Sequence, residues 1–513
     1  MSNPTPTPAE ILTRLSELRE LDPSAHGGRL LSYVYDSGRP ELDELAGAAI
    51  AAMQPVNGLD PTTFRSVAII ERELVDFARG VFNAGDDVVG VATSGGTESC
   101  LLAVKTARDA WRANGGQGTP RLVAPTTVHA AFRKAAALFG LQLDLVSVDP
   151  ATSVPVASEV IQRFGRDVAL VVLSAPSYPH AGFDPIVTVA SAAAAAGIDV
   201  HVDACIGGFA LAFWPADGPG APPALWDFRV PGVTSLSADL HKYGYAPKGV
   251  SVLLQRGRDR QRHQWFATSA WPGYPVVNAT LLGSRSAGPL AAAWAIVSTL
   301  GVAGFTELTA SMVASTAAIR AGIGDIDGLT VIGDPVGPML AIAADTSVPA
   351  ARRVDPHRWA DEIRKLGFGV QLQPASRQPN GTVLPATTHL TITPVTTQIV
   401  DELLAASASA ADSVRGLPSV DGAAIAGALI TGLASSGPSS GPSAAQGGGV
   451  DVAAVLAGGQ LDSATALRIL DGAGLLGDDG LGDLAPVLAL VGVLPTPVVD
   501  RLLIELLAAG LEH

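Results

Sequence analysis

The sequence predicts an α/β protein: a large domain with a mainly parallel sheet, followed by a small α+β domain. Three observations predict it. Short, strongly apolar runs alternate with amphipathic helical segments across residues 61–300, the pattern of strands covered on both faces by crossover helices. Glycines, hydroxyls and charged residues cluster where those runs end, at Thr93–Ser99, at Asp203 and at Ser237–Lys242, and the carboxyl ends of parallel strands are where such folds bind ligands. The chain has 513 residues, 48% hydrophobic and 16% charged, enough for two or three large cores.

In chain order, residues 1–60 are Pro-spotted and irregular, and Tyr33, Tyr35 and the turn VNGLDP read as an N-terminal arm contributing to the site. From Pro61, apolar Val67, Ile70, Leu74, Phe77 and Ala78 recur at helical spacing and predict a helix to about Val81. VVGVATS is a strand, followed by a helix from about Thr97 to Trp111; RLVAPTTV is a strand, followed by a helix from His129 to Phe139. LQLDLVSV, VALVVLSA, DVHVDA and VTSLSAD are further buried strands, and together these elements make the large domain, 61–300. A long helix, Leu290 to about Ala321, leads into the small domain, 301–415, with strands near Leu329–Ile332, Met339–Ala343 and His389–Thr393. Residues 416–449 end in LASSGPSSGPSAAQGGG and read as a linker region too poor in apolar residues to fold. Residues 450–510 hold two or three short Leu/Ala-rich helices to which no chemistry can be assigned, and Leu511–His513 looks like the remnant of a tag.

A net charge of −15 with no basic patch speaks against a nucleic-acid partner. Cys100 and Cys205 make neither a disulfide framework nor a zinc pattern, so a reducing, cytoplasmic setting without a metal is expected. No basic region followed by an apolar run opens the chain, and its most apolar stretches, such as Val187–Ile198 and Ala485–Leu494, fall short of the ~20 residues of a membrane span.

Three strand ends carry chemistry. In TSGGTES, Gly95 and Gly96 let the backbone approach an anion, the following helix offers free N–H groups, and Ser94 and Thr97 add hydroxyls; an ordinary glycine turn would have the same letters. Asp203 ends a strongly apolar strand, where a carboxylate needs a cation or donor, unless it merely caps the next turn. Lys242 follows the strand Val233–Ser237, and a partly buried lysine serves as an amine nucleophile, whereas a solvated one is only surface. A phosphate cradle, an acid and a lysine in that order match what pyridoxal 5'-phosphate requires: a hold on its phosphate, a carboxylate at its ring nitrogen and a Schiff-base lysine.

The stretches TSGGTES, LSAPSYPHAGFDPI, HVDACIGGF and SADLHKYGYAPKG resemble the sphingosine-1-phosphate lyase branch of the pyridoxal-phosphate-dependent group II decarboxylases, over roughly residues 30–400. The resemblance implies a fold type I, aspartate aminotransferase-like architecture and a homodimer with shared sites. It implies Lys242, Asp203 and His129 as the catalytic set: Lys242 as the Schiff-base lysine, Asp203 at the pyridinium nitrogen, and His129 stacked on the ring. Ser94, Gly95, Gly96, Thr97, Ser237 and His241 would complete the cofactor site, with Ser284 reaching the phosphate in the neighbouring subunit. Tyr35, Asn57 and Lys248 match positions lining the substrate end. His26, His263, His357 and His389 read as surface or core polar residues.

Two departures fall at that end. The family's Asn-Pro-Leu-His becomes NGLD, putting Asp60 where a histidine helps hold the substrate phosphate, unless Asp60 caps a helix starting at Pro61. A family tyrosine aligns with Val276, and the nearest tyrosine is Tyr274. The expected function is therefore a carbon–carbon lyase acting at the α-carbon of an amine or amino acid through an external aldimine, of retro-aldol type, with a substrate other than a sphingoid phosphate. The alternatives are an amino-acid decarboxylase, then an aminotransferase or a non-catalytic scaffold.

Overall fold

A computed structural model describes residues 5–59, 62–435, 461–472 and 483–512. Seven strands form the central sheet: β1 (Val88–Thr93), β2 (Arg121–Pro125), β3 (Gln142–Val146), β4 (Val168–Ser174), β5 (Asp199–Asp203), β6 (Ser235–Ala238) and β7 (Ser251–Arg256). Their order is β1, β7, β6, β5, β4, β2, β3. Strands β3, β2, β4, β5 and β6 pair in parallel, whereas β7 runs antiparallel between β6 and β1. Every residue of β4 is buried, as a strand covered on both faces must be. One face packs on Cys100, Val104 and Phe132 from the helices Gly96–Ala113 and Ala130–Phe139. The other packs on Leu74 and Ala78 from Arg65–Val81 and on Val189 and Ala193 from Ile186–Ala196.

The small sheet is antiparallel, in the order Leu329–Val331, Met339–Ala344, Thr387–Thr391, Gln371–Gln373. Its core gathers Trp359, Ile363, Phe368, Leu390 and Leu403. The helix Gly288–Gly324 joins the two parts and kinks at Gly301, whose φ of 51° breaks the helical path. It buries Ile296 and Phe305 in the large core and Ile319 in the small one. By length and composition this helix is long and apolar enough to cross a membrane. That corrects the expectation of no such stretch, and here its apolar residues are spent on the two cores.

Three further corrections concern segments read as irregular. Residues 1–60 contain two helices, Pro8–Arg19 and Pro40–Met53. Their prolines stand in the first turn, where the missing N–H costs nothing, and Thr7 with Glu10 closes a capping box. The helix after the arm begins at Arg65, not Pro61, with Phe64 at its cap, so it is not a cap at Asp60 that starts it; Asp60 itself lies outside the described residues. A helix, Gly422–Ser435, occupies part of the 416–449 stretch read as linker, and residues 436–449 lie outside the described residues. Beyond it come Ser463–Gly472, Ala485–Val493 and Thr496–Glu512. Ala485–Val493 docks on the small domain: buried Asp361 accepts from Leu484 N at 2.8 Å and Ala485 N at 2.9 Å, a carboxylate at the positive end of a helix.

Candidate active site

The carboxyl ends of the parallel strands, with that of β1, bring the chemistry-bearing residues together. After β1, Gly95 holds a φ of 154° and opens the helix Gly96–Ala113. Glu98 is buried, and its carboxylate accepts from Ser94 N and Leu281 N, both at 2.6 Å. No hydrogen bond to the N–H groups of Gly95, Gly96 or Thr97 occurs among the described residues, so the cradle presents three donors at a positive helix end. Both glycines sit where side chains crowd the backbone. A Cβ on Gly95 would sit 3.0 Å from His241 Cε1, and one on Gly96 2.5 Å from Asp239 Oδ2.

Asp203 ends β5 and is 8% exposed. Its Oδ1 accepts from Cys205 N at 3.0 Å, and no hydrogen bond to Oδ2 occurs among the described residues. Lys242 follows β6, and its Nζ lies 3.0 Å from Asp239 Oδ2. His129 caps the helix Ala130–Phe139: its Nδ1 accepts from Ala131 N at 3.2 Å, and its ring remains exposed. These features fit pyridoxal phosphate: an N–H cradle that a Cβ would fill, an open carboxylate oxygen, an amine and an exposed ring.

At the mouth, the arm contributes Tyr35, over whose ring Lys248 Nζ lies at 3.2 Å. Burial raises the Tyr35 phenol, partly offset by the charge of Lys242, so the arm reaches the lysine. Asn57 donates to Ser284 Oγ at 3.2 Å and accepts from Arg285 N. The structure therefore joins two pairs that the sequence placed far apart, Tyr35 with Lys248 and Asn57 with Ser284.

Three expected residues are placed otherwise. Ser237 is fully buried, with its hydroxyl 3.0 Å from His201 Nε2 and accepting from Cys205 Sγ at 3.1 Å, so it is committed to the core. His241 Nδ1 accepts from Val250 N at 3.3 Å, and its Nε2 lies 3.4 Å from Asp239 Oδ2. Both ring nitrogens are thus occupied, and His241 lines the cradle with its carbon edge. Tyr274 is exposed on the hairpin Phe266–Asn278 against Trp271, with no contact to Tyr35, Lys248 or Lys242 among the described residues.

Sequence reasoning missed two residues. Asp239 touches both Lys242 and His241; its signal was a carboxylate at a strand end, three residues before the lysine. Tyr178, between Ser177 and Pro179 after β4, stands edge-on to His129 at 6.4 Å and stacks on His389 at 4.5 Å. Cys100, Asp203 and Cys205 also converge, with potential ligand atoms within 4.8 Å of one another. Burial raises the Cys100 thiol, and its hydrogen-bonded contact with Cys100 together with burial raises that of Cys205, which opposes the thiolate a metal needs.

Around the site, burial lowers His180, His201 and His389 to about 4 and raises Asp184 to about 7, the latter with help from the charge of Asp203. The histidines contribute stability that is present above their ordinary value of 6.5 and lost as pH falls toward 4. Asp184 acts oppositely: its contribution is present below its ordinary value of 3.8 and lost as pH rises through 7. Three groups outweigh one, so stability should fall by several kcal/mol, as an order of magnitude, between about pH 6.5 and 4. Thermal melting across that window checks this. Asp184→Asn should make the acid decline steeper, and a flat wild-type profile would refute the assignment.

A fold and a site of this kind define a pyridoxal-phosphate enzyme of fold type I. The family model described as the pyridoxal-dependent decarboxylase conserved domain matches residues 45–325, and that described as the C-terminal putative HTH domain of pyridoxal-dependent enzymes matches 448–509. The chain belongs to the pyridoxal-dependent decarboxylase family. It is 38% identical over 338 residues to sphingosine-1-phosphate lyase 1 of Rattus norvegicus, an alignment covering 66% of this chain and 59% of the rat protein. It is 33% identical over 416 residues to the sphingosine-1-phosphate lyase of Oryza sativa, covering 80% and 74%. Among solved structures, the sphingosine-1-phosphate lyase of Burkholderia pseudomallei superposes with a TM-score of 0.73 at 31% identity, covering 84% of this chain and 95% of that one. Glutamate decarboxylase of Lactobacillus brevis, at 19% identity and a TM-score of 0.68, covering 82% and 95%, shares the fold. These likenesses lend no support to the expectation that the substrate is other than a sphingoid phosphate.

Proposed function

We propose that the protein is a carbon–carbon lyase that splits the Cα–Cβ bond of a phosphorylated β-hydroxy amine, the class that includes sphingoid phosphates. The observation that carries this reading is the pair of Lys248 and Tyr35 at the mouth. Burial holds the Lys248 amine below the usual lysine range, against the opposing charge of Asp43. Breaking a Cα–Cβ bond beside a hydroxyl requires a base for the hydroxyl proton, and decarboxylation does not. Lys248, steadied over the Tyr35 ring, is that base, and in its charged form it attracts the substrate phosphate.

When bound, pyridoxal phosphate supplies a conjugated ring that accepts the electron pair of the broken bond. The chain's own groups do the rest. Asp203 would keep a proton at the ring nitrogen, His129 would cover the ring face, the N–H groups of Gly95, Gly96 and Thr97 would hold the phosphate, and Lys242 Nζ would hold the cofactor at its aldehyde carbon.

Incubation with pooled amino acids, β-hydroxy amines and phosphorylated amino alcohols tests the reaction. Aldehyde without carbon dioxide is the expected outcome, whereas carbon dioxide without aldehyde would make the protein a decarboxylase and refute this proposal.

A homodimer is part of the reading. Phe266, Trp271, Tyr274, Val277, Leu281 and Leu282 are all exposed in the segment leading to Ser284, and a second copy would cover them. A cytoplasmic setting without membrane or nucleic-acid partners fits two buried, unpaired thiols 4.0 Å apart. It also fits residues 448–509, where seven Asp and one Glu face two Arg and no Lys.

A further inference from the structure

The turn Asp239–Lys242 folds its two basic side chains back onto its own first residue. Asp239 Oδ2 lies 3.0 Å from Lys242 Nζ and 3.4 Å from His241 Nε2, with the Asp239 side chain 1% exposed. Among the described residues no hydrogen-bond partner reaches its buried Oδ1, and Ser251 also helps to hold the carboxylate ionised. The backbone locks this arrangement, since Asp239 N donates to Cys205 O at 3.1 Å and Lys242 N to Asp239 O at 3.3 Å. Gly96 leaves room for the carboxylate, which a Cβ there would strike at 2.5 Å. The other titratable groups facing the amine are Asp203, which ends β5, Cys205 just after it, Cys100 of the helix Gly96–Ala113, Tyr35 of the arm and Tyr178 after β4, with His241 on its own turn. Among the described residues, Asp239 is the acid within ion-pair distance. Burial of Lys242 opposes its charge, but the carboxylates, Asp239 first and Asp203 after it, more than offset it and hold the amine above the usual lysine range.

We propose that Asp239 is a positioning residue that holds the Lys242 amine as an ammonium ion whenever it is not bonded to the cofactor, and so sets the pH at which attachment occurs. This rests on Lys242 being the cofactor lysine. Attachment needs the neutral amine. The ammonium gives one proton to solvent, its lone pair bonds the aldehyde carbon, and its two remaining protons leave with the aldehyde oxygen as water. When a substrate amine displaces it, Lys242 regains a proton and returns to Asp239, where it cannot attack again.

The test is the rate of attachment to the full-length protein after cofactor removal, measured between about pH 6 and 10. Pyridoxal phosphate is added, the linkage is trapped with borohydride, and the labelled peptide is identified by mass. In the wild type the rate should climb about tenfold per pH unit and not level off below the ordinary lysine value of about 10.4. In Asp239→Asn it should level off at least about one unit lower and be about tenfold faster at neutral pH. An unchanged profile in the variant overturns the proposal. So does a wild-type plateau below the ordinary lysine value, a result that needs no variant to fold. Label on a lysine other than Lys242 overturns the reading of Lys242 itself, and the proposal with it.

Discussion

Lys242→Ala is expected to abolish covalent cofactor attachment and turnover together, the latter by about 10⁴-fold or more. No other amine replaces it, because the second lysine at the mouth, Lys248, is seated over Tyr35. The variant should also melt earlier. Asp239 is buried and pairs with Lys242, and breaking a buried pair by removing one partner costs about 3–5 kcal/mol. The two losses can be separated. In Lys242→Ala/Asp239→Asn the orphaned charge is gone, so melting should recover while turnover stays absent. Wild-type turnover in either variant would end the assignment of Lys242, and melting that stays low in the double variant would show that the lysine stabilises the fold by something other than this pair.

The cofactor end was legible in the sequence because each requirement there is met by a local motif. A glycine pair before a helix, an acid closing an apolar strand and a lysine just past another strand are all read within ten residues, and the strands set them on one edge. What escaped was contact between distant segments. The sequence offers no sign that Ser237 turns inward to His201, because strand alternation does not say which face of a strand covered on both sides meets the ligand. Nor does it show that Val250 N takes a nitrogen of His241. The strand β7 went unread because it begins nine residues after Lys242, and the turn chemistry drew the boundary past it.

At the substrate end the reverse holds. Tyr35 and Lys248 lie far apart in sequence, and only the path of the arm joins them: Leu31 N donates to Gly369 O and Thr391 N to Leu31 O, which pins the arm along the small domain. The prolines that made the arm look irregular are helix starters, at Pro8 and Pro40. His389, read as a bland polar residue, is a buried residue of the small domain that stacks on Tyr178 and so ties that domain to the wall of the site.

Asp203→Ala is expected to retain cofactor, since Lys242 and the N–H cradle stay in place without it, yet to lose turnover by about 10²–10⁴-fold, the range of a positioned acid–base group. Without the carboxylate nothing at the end of β5 keeps a proton on the ring nitrogen, and the neutral ring accepts an electron pair poorly. The structure supplies a second readout. Asp184 is raised to about 7 by burial and, in the same direction, by the charge of Asp203. Removing that charge should bring Asp184 down toward its ordinary value, so the variant sheds part of the stability that the wild type loses between about pH 4 and 7. Relative to wild type it should melt progressively higher as pH rises through that window. If turnover survives, the role at the ring nitrogen is wrong. If turnover is lost but the relative melting profile is flat, Asp203 acts on the cofactor and its field does not reach Asp184. If both change together, one carboxylate at the end of β5 serves the ring on one side and loads the core on the other.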